Sequence, residues 1–121
     1  IKVFDFIEDM NYAYSASNLI LARAGATTIA EILVLGIPSI LVPSPNVAEN
    51  HQYYNAKSLS DEGAAILVED KEIDLRMYDE VTVMINSEEK LAELKKHALL
   101  LAKPDAAKVI AKSAIRFAGV K

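Results

Sequence analysis

A chain of 121 residues, 52% hydrophobic and 25% charged, has the balance of one globular domain that buries a core. Its formal charge of -4, with Lys and Arg interleaved among Asp and Glu, leaves no broad basic face and argues against nucleic acid as a partner. The absence of cysteine excludes disulfides and thiolate metal sites and fits a reducing compartment, and no apolar run reaches the roughly 18 to 20 residues of a membrane span.

The first element in chain order is the apolar run IKVF at 1–4. Because the chain opens on Ile1 and goes straight into a strand-like run, the expectation is a piece excised from a longer protein. Three further runs follow, NLILA at 18–22, SILVP at 39–43 and AAILV at 64–68. Each is continuous rather than alternating, as in strands buried on both faces of a parallel sheet. Segments of helical length separate them: Asp9 to Ser17, Thr27 to Leu35 with Ile29, Ile32 and Leu33 at helical spacing, and His51 to Glu62 closed by Gly63. This alternation predicts right-handed βαβ units and an α/β, Rossmann-like parallel sheet of about four strands. After a polar connection at 69–74, Leu75 to Asn86 reads as a helix, and Ser87 caps another that carries Glu88 and Glu89 in its first turn. Leu91, Leu94, Ala98 and Leu101 give that helix one apolar stripe. Pro104 suits a first helical residue, with Ile110, Ala114, Phe117 and Ala118 on one face before Gly119. The C-terminal helices are expected to pack back on the sheet.

The chemistry concentrates where the second run becomes a helix. In open parallel α/β sheets, ligands sit outside the carboxyl ends of the strands, where loops lead into helix N-termini. Gly25 lies at that place, able to take positive φ and to let a ligand approach closely. The N–H groups of Ala26, Thr27 and Thr28 then offer an anion site suited to phosphate. A local alternative stands beside this: Thr28-Ile29-Ala30-Glu31 matches the capping box, which would commit Thr28 and Glu31 to the helix end. The loop after the third run, SPNVAENHQYYNA, opens a helix with His51, Gln52 and Asn55 on nearly one face. These neutral donors and acceptors suit sugar hydroxyls, whereas a helix-capping role is the simpler reading of His51. Arg23 could neutralise phosphate or pair with a nearby acid. His97, the EDKE run at 69–72 and Lys95-Lys96 read as solvated. No Asp-x-Asp and no acid cluster with metal spacing occurs, so metal-independent chemistry and no cofactor are expected.

FIEDM, ARAGATTIAEI, GIPSILVPSPN and NHQYYNAKSLSDEGAA, in this order and spacing, resemble the donor-nucleotide half of the MurG family of bacterial N-acetylglucosaminyltransferases. The tail LLLAKPDAAKVIAKSAI resembles that family's C-terminal helices, so the likeness covers essentially the whole chain. It implies a two-domain GT-B fold in which residues 1–121 form part of the C-terminal UDP-sugar-binding domain. The implied reaction is an inverting transfer of N-acetylglucosamine from UDP-N-acetylglucosamine to lipid I, giving lipid II for peptidoglycan. On that resemblance Phe6 and Ile7 meet the uracil with Met10 beside it. Gly25, Ala26, Thr27 and Thr28 receive the diphosphate, and Glu31 accepts from the ribose hydroxyls. His51, Gln52 and Asn55 touch the N-acetylglucosamine or its phosphate. Some relatives have Gln at His51, so no catalytic residue is assigned. The resemblance places the general base and the acceptor grip on an N-terminal domain, with the whole enzyme peripheral on the cytoplasmic face of the cell membrane. The fragment alone is expected to be inactive and to self-associate through an unpaired strand edge. Three alternatives remain at this level: a separate UDP-sugar-binding subunit that needs a partner chain, a GT-B enzyme moving another sugar onto another lipid acceptor, and a noncatalytic α/β scaffold.

Overall fold

A computed structural model describes residues 1–119. Three parallel strands, β1 (Ile20–Arg23), β2 (Ser39–Val42) and β3 (Ile66–Leu67), form one sheet in the order β1-β2-β3. Among the described residues six helices accompany them: α1 (Met10–Ser15), α2 (Ala26–Leu35), α3 (His51–Asp61), α4 (Ile73–Ile85), α5 (Glu88–Leu101) and α6 (Ala106–Phe117), with 3-10 turns at Ala48–Asn50 and Asp70–Glu72. The α/β class, the parallel sheet and the C-terminal helices thus stand as read from the sequence.

Continuous apolar strands make sense because both faces of β2 are covered. Ile40 and Val42 point into a cluster with Val68 that α4 closes through Ile73, Met77 and Val81. Leu41 points the other way, into a cluster of Ala24 from the loop after β1, Ile32 of α2, Ala56 and Leu59 of α3, and Ala98 of α5. All four residues of β2 are buried. Ala24, Ala56, Ala64 and Ala98 are fully buried there, and such small side chains let helices approach the sheet closely. Apolar burial of this kind stabilises by about 25 cal/mol per Å².

Three elements differ from the sequence reading. Residues 1–4 form no strand and are exposed, because no neighbouring strand among the described residues offers them hydrogen bonds, so the sheet has three strands rather than about four. Pro104 lies in the turn before α6, whose N-cap is Asp105. α6 does not pack back on the sheet: every residue from Ala106 to Phe117 is exposed, including Val109, Ile110 and Phe117. Ser87 does cap α5, accepting from the Lys90 N–H at 3.3 Å, and Leu94 and Ala98 of the expected stripe are buried.

The short α1 is capped by Asp9, whose Oδ1 accepts from the Tyr12 N–H at 3.0 Å. Its one buried residue is Tyr14, 9% exposed, and the Tyr14 hydroxyl donates to Glu31 Oε2 on α2 at 2.7 Å. α2 ends at Gly36 in the left-handed conformation, φ 64°, where an added Cβ would lie 2.7 Å from Leu99 Cγ on α5.

Two stability predictions follow from these contacts. Gly36→Ala should lower the unfolding free energy by about 1 to 2 kcal/mol, from left-handed backbone strain, with Leu99 able to swing aside because it is half exposed; equal stability in urea titrations would contradict the strain. Burial, then the hydrogen bond to Glu31 and its charge, push the Tyr14 phenol up from 10.0 to about 12. A pKa raised on folding stabilises fully below the unfolded value and is lost as pH climbs through the folded one. The Tyr14 contribution should therefore fade between about pH 10 and pH 12, and Tyr14→Phe should remove that part of the alkaline stability profile.

Candidate functional site

The parallel pairing of β1 with β2, in register from Ile20 opposite Ser39 to Arg23 opposite Val42, brings both strands to one edge of the sheet. At that edge Ala24 and Gly25 turn the chain into α2, and Pro43 to Asn50 lead it into α3. Neither helix start is capped by a side chain. Two amide side chains of α3 bond to the backbone of these loops. Asn55 Nδ2 donates to the Ala24 carbonyl at 3.4 Å, and Gln52 Oε1 accepts from the Ser44 N–H at 2.9 Å. The first of these joins α3 to the loop that opens α2, and the second folds the loop before α3 onto its own helix.

Gly25 sits at φ -70°, ψ 143°, an extended conformation open to any residue, so the expected positive φ is not what the glycine provides. An added Cβ would meet nothing nearer than Thr28 Oγ1 at 4.0 Å. The missing side chain therefore keeps space open before the α2 terminus, where the first turn of a helix presents unpaired N–H groups and roughly half a positive charge. Ile29 is the first residue to donate back, to the Gly25 carbonyl at 3.0 Å, which leaves Ala26, Thr27 and Thr28 to present theirs outward.

The capping box at Thr28 and Glu31 is absent. The helix begins two residues before Thr28, which places Thr28 within the first turn and takes Glu31 out of reach of the end N–H groups. Glu31 instead accepts from Tyr14 and is exposed. Four residues of helix carry the chain about 6 Å from Thr27 to Glu31 along the same face. Beyond Glu31 lies a mostly apolar hollow of about 360 Å³ between α1 and α2, with Met10, Asn11 and Tyr14 on one side and Ala30, Glu31, Val34 and Leu35 on the other. Phe6, 79% exposed, and Ile7 lie on the exposed segment leading into α1, so core packing does not account for them. The structure brings Met10 and Glu31 to one hollow, which runs along α2 toward Leu35, while Gly25 to Thr28 lie at the other end of that helix. Phe6 and Ile7 do not line that hollow.

Around α3 the outcome is mixed. His51 is exposed, with Nδ1 2.8 Å from the Ala48 carbonyl. A carbonyl accepts only, so Nδ1 is the donor in this contact, and Nε2 makes no hydrogen bond among the described residues. Gln52 and Asn55 are half-buried, and each spends one amide atom on the backbone contact already described. Arg23 is bound to the Asp70 carboxylate and donates to the Pro43 carbonyl at 3.3 Å, which makes it a tie between strand ends rather than a phosphate partner.

Several residues read as solvated have defined partners. His97 is half-buried with Nδ1 3.1 Å from the Gly63 carbonyl. Glu69 and Glu72 cap the Asp70–Glu72 turn reciprocally, and Glu72 also pairs with Arg76 at 3.0 Å. Lys95 and Lys96 are exposed as expected. Tyr14, Asp70 and the Glu69–Glu72 cap escaped the sequence reading, and only the last had a local signal, Glu three residues after Glu. Among the described residues no group of three or more His, Asp or Glu is placed to hold a metal ion, and no helix is long and apolar enough to cross a membrane.

The family model of the glycosyltransferase family 28 C-terminal domain matches residues 1–110. The chain is 47% identical over 116 residues to the UDP-N-acetylglucosamine--N-acetylmuramyl-(pentapeptide) pyrophosphoryl-undecaprenol N-acetylglucosamine transferase of Bacteroides thetaiotaomicron, covering 96% of this chain and 31% of that protein. It is 44% identical over 106 residues to the enzyme of the same name from Lacticaseibacillus casei, covering 88% and 29%. The crystal structure of Acinetobacter baumannii MurG superposes with a TM-score of 0.83 at 33% identity, over 92% of this chain and 32% of that one. The chain thus spans about a third of the length of the relatives it matches. With its sheet, its uncapped helix start and this match over nearly its whole length, the chain belongs to the glycosyltransferase family 28 C-terminal domains.

Proposed function

We propose that the chain is the donor-nucleotide-binding part of an inverting hexosyltransferase that moves N-acetylglucosamine from UDP-N-acetylglucosamine to a lipid-linked N-acetylmuramyl-pentapeptide acceptor in peptidoglycan synthesis. The observation that carries it is the uncapped start of α2 at the carboxyl end of β1, opened by a glycine whose Cβ position faces empty space. The names of relatives that match 88% and 96% of the chain support the sugar and the acceptor.

In this reading the diphosphate lies against the N–H groups of Ala26, Thr27 and Thr28. The ribose diol donates to Glu31 about one helical turn further on, and the uracil lies toward Met10, with Phe6 and Ile7 supplying backbone contacts. The second amide atoms of Gln52 and Asn55, together with His51 Nε2, face the sugar or its phosphate. As the acceptor hydroxyl displaces the nucleotide from the anomeric carbon, negative charge grows on the departing diphosphate. Fixed N–H dipoles stabilise that charge more in the transition state than in the bound donor, which is what lowers a barrier. The acceptor and the group that deprotonates it belong to the other domain of the whole enzyme, which works at the cytoplasmic face of the membrane.

The cradle is tested by titrating the full-length transferase with UDP and with uridine. Gly25→Val should weaken UDP by at least about tenfold, on the order of 1.4 kcal/mol, and should leave uridine unchanged, with any loss of helix-cap stability read separately from the melting temperature. Equal UDP affinity in a folded Gly25→Val protein would contradict the reading. The 121-residue chain assayed alone should show no transfer, and measurable turnover would place the missing chemistry within these residues.

A further inference from the structure

The Tyr14–Glu31 pair connects two elements that the ribose reading uses separately. Glu31 is exposed on α2, while Tyr14 is the one buried residue of α1. Their oxygens are 2.7 Å apart, the length of a charge-assisted O–H···O bond. The phenol holds its proton throughout the neutral range, since burial and the adjacent carboxylate push it up to about 12, so it acts as a permanent donor. A carboxylate has about four lone-pair sites. The phenol fills one on Oε2, leaving room for both hydroxyls of a vicinal diol.

We propose that Tyr14 is a positioning residue: its hydroxyl, held by a ring packed into the fold, fixes the rotamer of the Glu31 carboxylate so that it faces the ribose diol of the donor nucleotide. The inference rests on the reading of Glu31 given under Proposed function and deepens it. An exposed glutamate otherwise samples many rotamers and loses that freedom on binding a ligand. Anchored by a side chain that is itself 9% exposed, Glu31 has lost much of it already. The arrangement differs from a simple tether of α1, because both partners line the same 360 Å³ hollow, where a bound nucleoside would sit.

The test uses the full-length transferase, titrated with UDP and with 2′,3′-dideoxy-UDP, in the wild type, Tyr14→Phe, Glu31→Ala and the double variant. Phenylalanine keeps the ring and its packing, and a thermal melt of each variant confirms folding. The expected results are a loss of UDP affinity of about fivefold to tenfold in Tyr14→Phe, no loss for the dideoxy nucleotide, and no further loss when Tyr14→Phe is added to Glu31→Ala. A tether of α1 would weaken both nucleotides alike and would still act in the Glu31→Ala background. Either that pattern or an unchanged UDP affinity in Tyr14→Phe overturns the positioning role while leaving Glu31 as the ribose acceptor. Unchanged UDP affinity in Glu31→Ala overturns the ribose reading itself, and the positioning role with it.

Discussion

The parallel, in-register pairing of β1 and β2 is the constraint on which the site depends. Parallel strands discharge their chains at the same edge of the sheet, and each connection here is a helix that starts at that edge. Two helix N-termini are thereby brought together without any side chain having to reach for the other. The bonds from Asn55 to Ala24 and from Ser44 to Gln52 refine an arrangement that the sheet has already imposed. A slip of β2 by one residue would turn Ile40 and Val42 away from α4 and Leu41 away from α2, so the hydrophobic clusters on the two faces hold the register and, through it, the site.

The electrostatics of that edge are unusual for a diphosphate receptor. The chain carries a formal charge of -4, and the nearest arginine, Arg23, is occupied by Asp70 and the Pro43 carbonyl. Long-range attraction is therefore not what would recruit an anion, and beyond about 8 Å it is screened at physiological salt. In the proposed reading, recognition falls to short-range backbone donors, whose directionality favours an oxyanion seated directly over the helix end. A helix terminus alone contributes about 0.3 to 1 kcal/mol toward a nearby charge. Under the same proposal, affinity and specificity come largely from ribose, base and sugar contacts further along, which is the weight it gives the Glu31 carboxylate and the hollow beside Met10.

What the sequence made legible follows from how local each signal is. The strands at 20–23, 39–42 and 66–67 were readable because unbroken apolar runs report burial on two faces. The run at 1–4 carries the same signal yet forms no strand, since a strand exists only with a partner and none lies beside it among the described residues. The Thr28–Glu31 pattern misled because a capping box depends on the residue at which the helix begins, and Gly25 starts this one earlier. Polar partnerships between distant residues left no trace: Tyr14 with Glu31, Arg23 with Asp70, and His97 with Gly63 are 17, 47 and 34 positions apart. The candidate anion site was visible because its parts are contiguous in sequence, whereas the orientation of Glu31 was not because its partner lies on another helix.

The most direct measurement is a crystal structure of the full-length transferase with UDP bound. Diphosphate oxygens are expected within about 2.7 to 3.1 Å of the backbone nitrogens of Ala26, Thr27 and Thr28. A nucleotide seated instead in the hollow lined by Gly36, Ile37, Pro38 and Lys95, with the start of α2 facing solvent, would contradict the account.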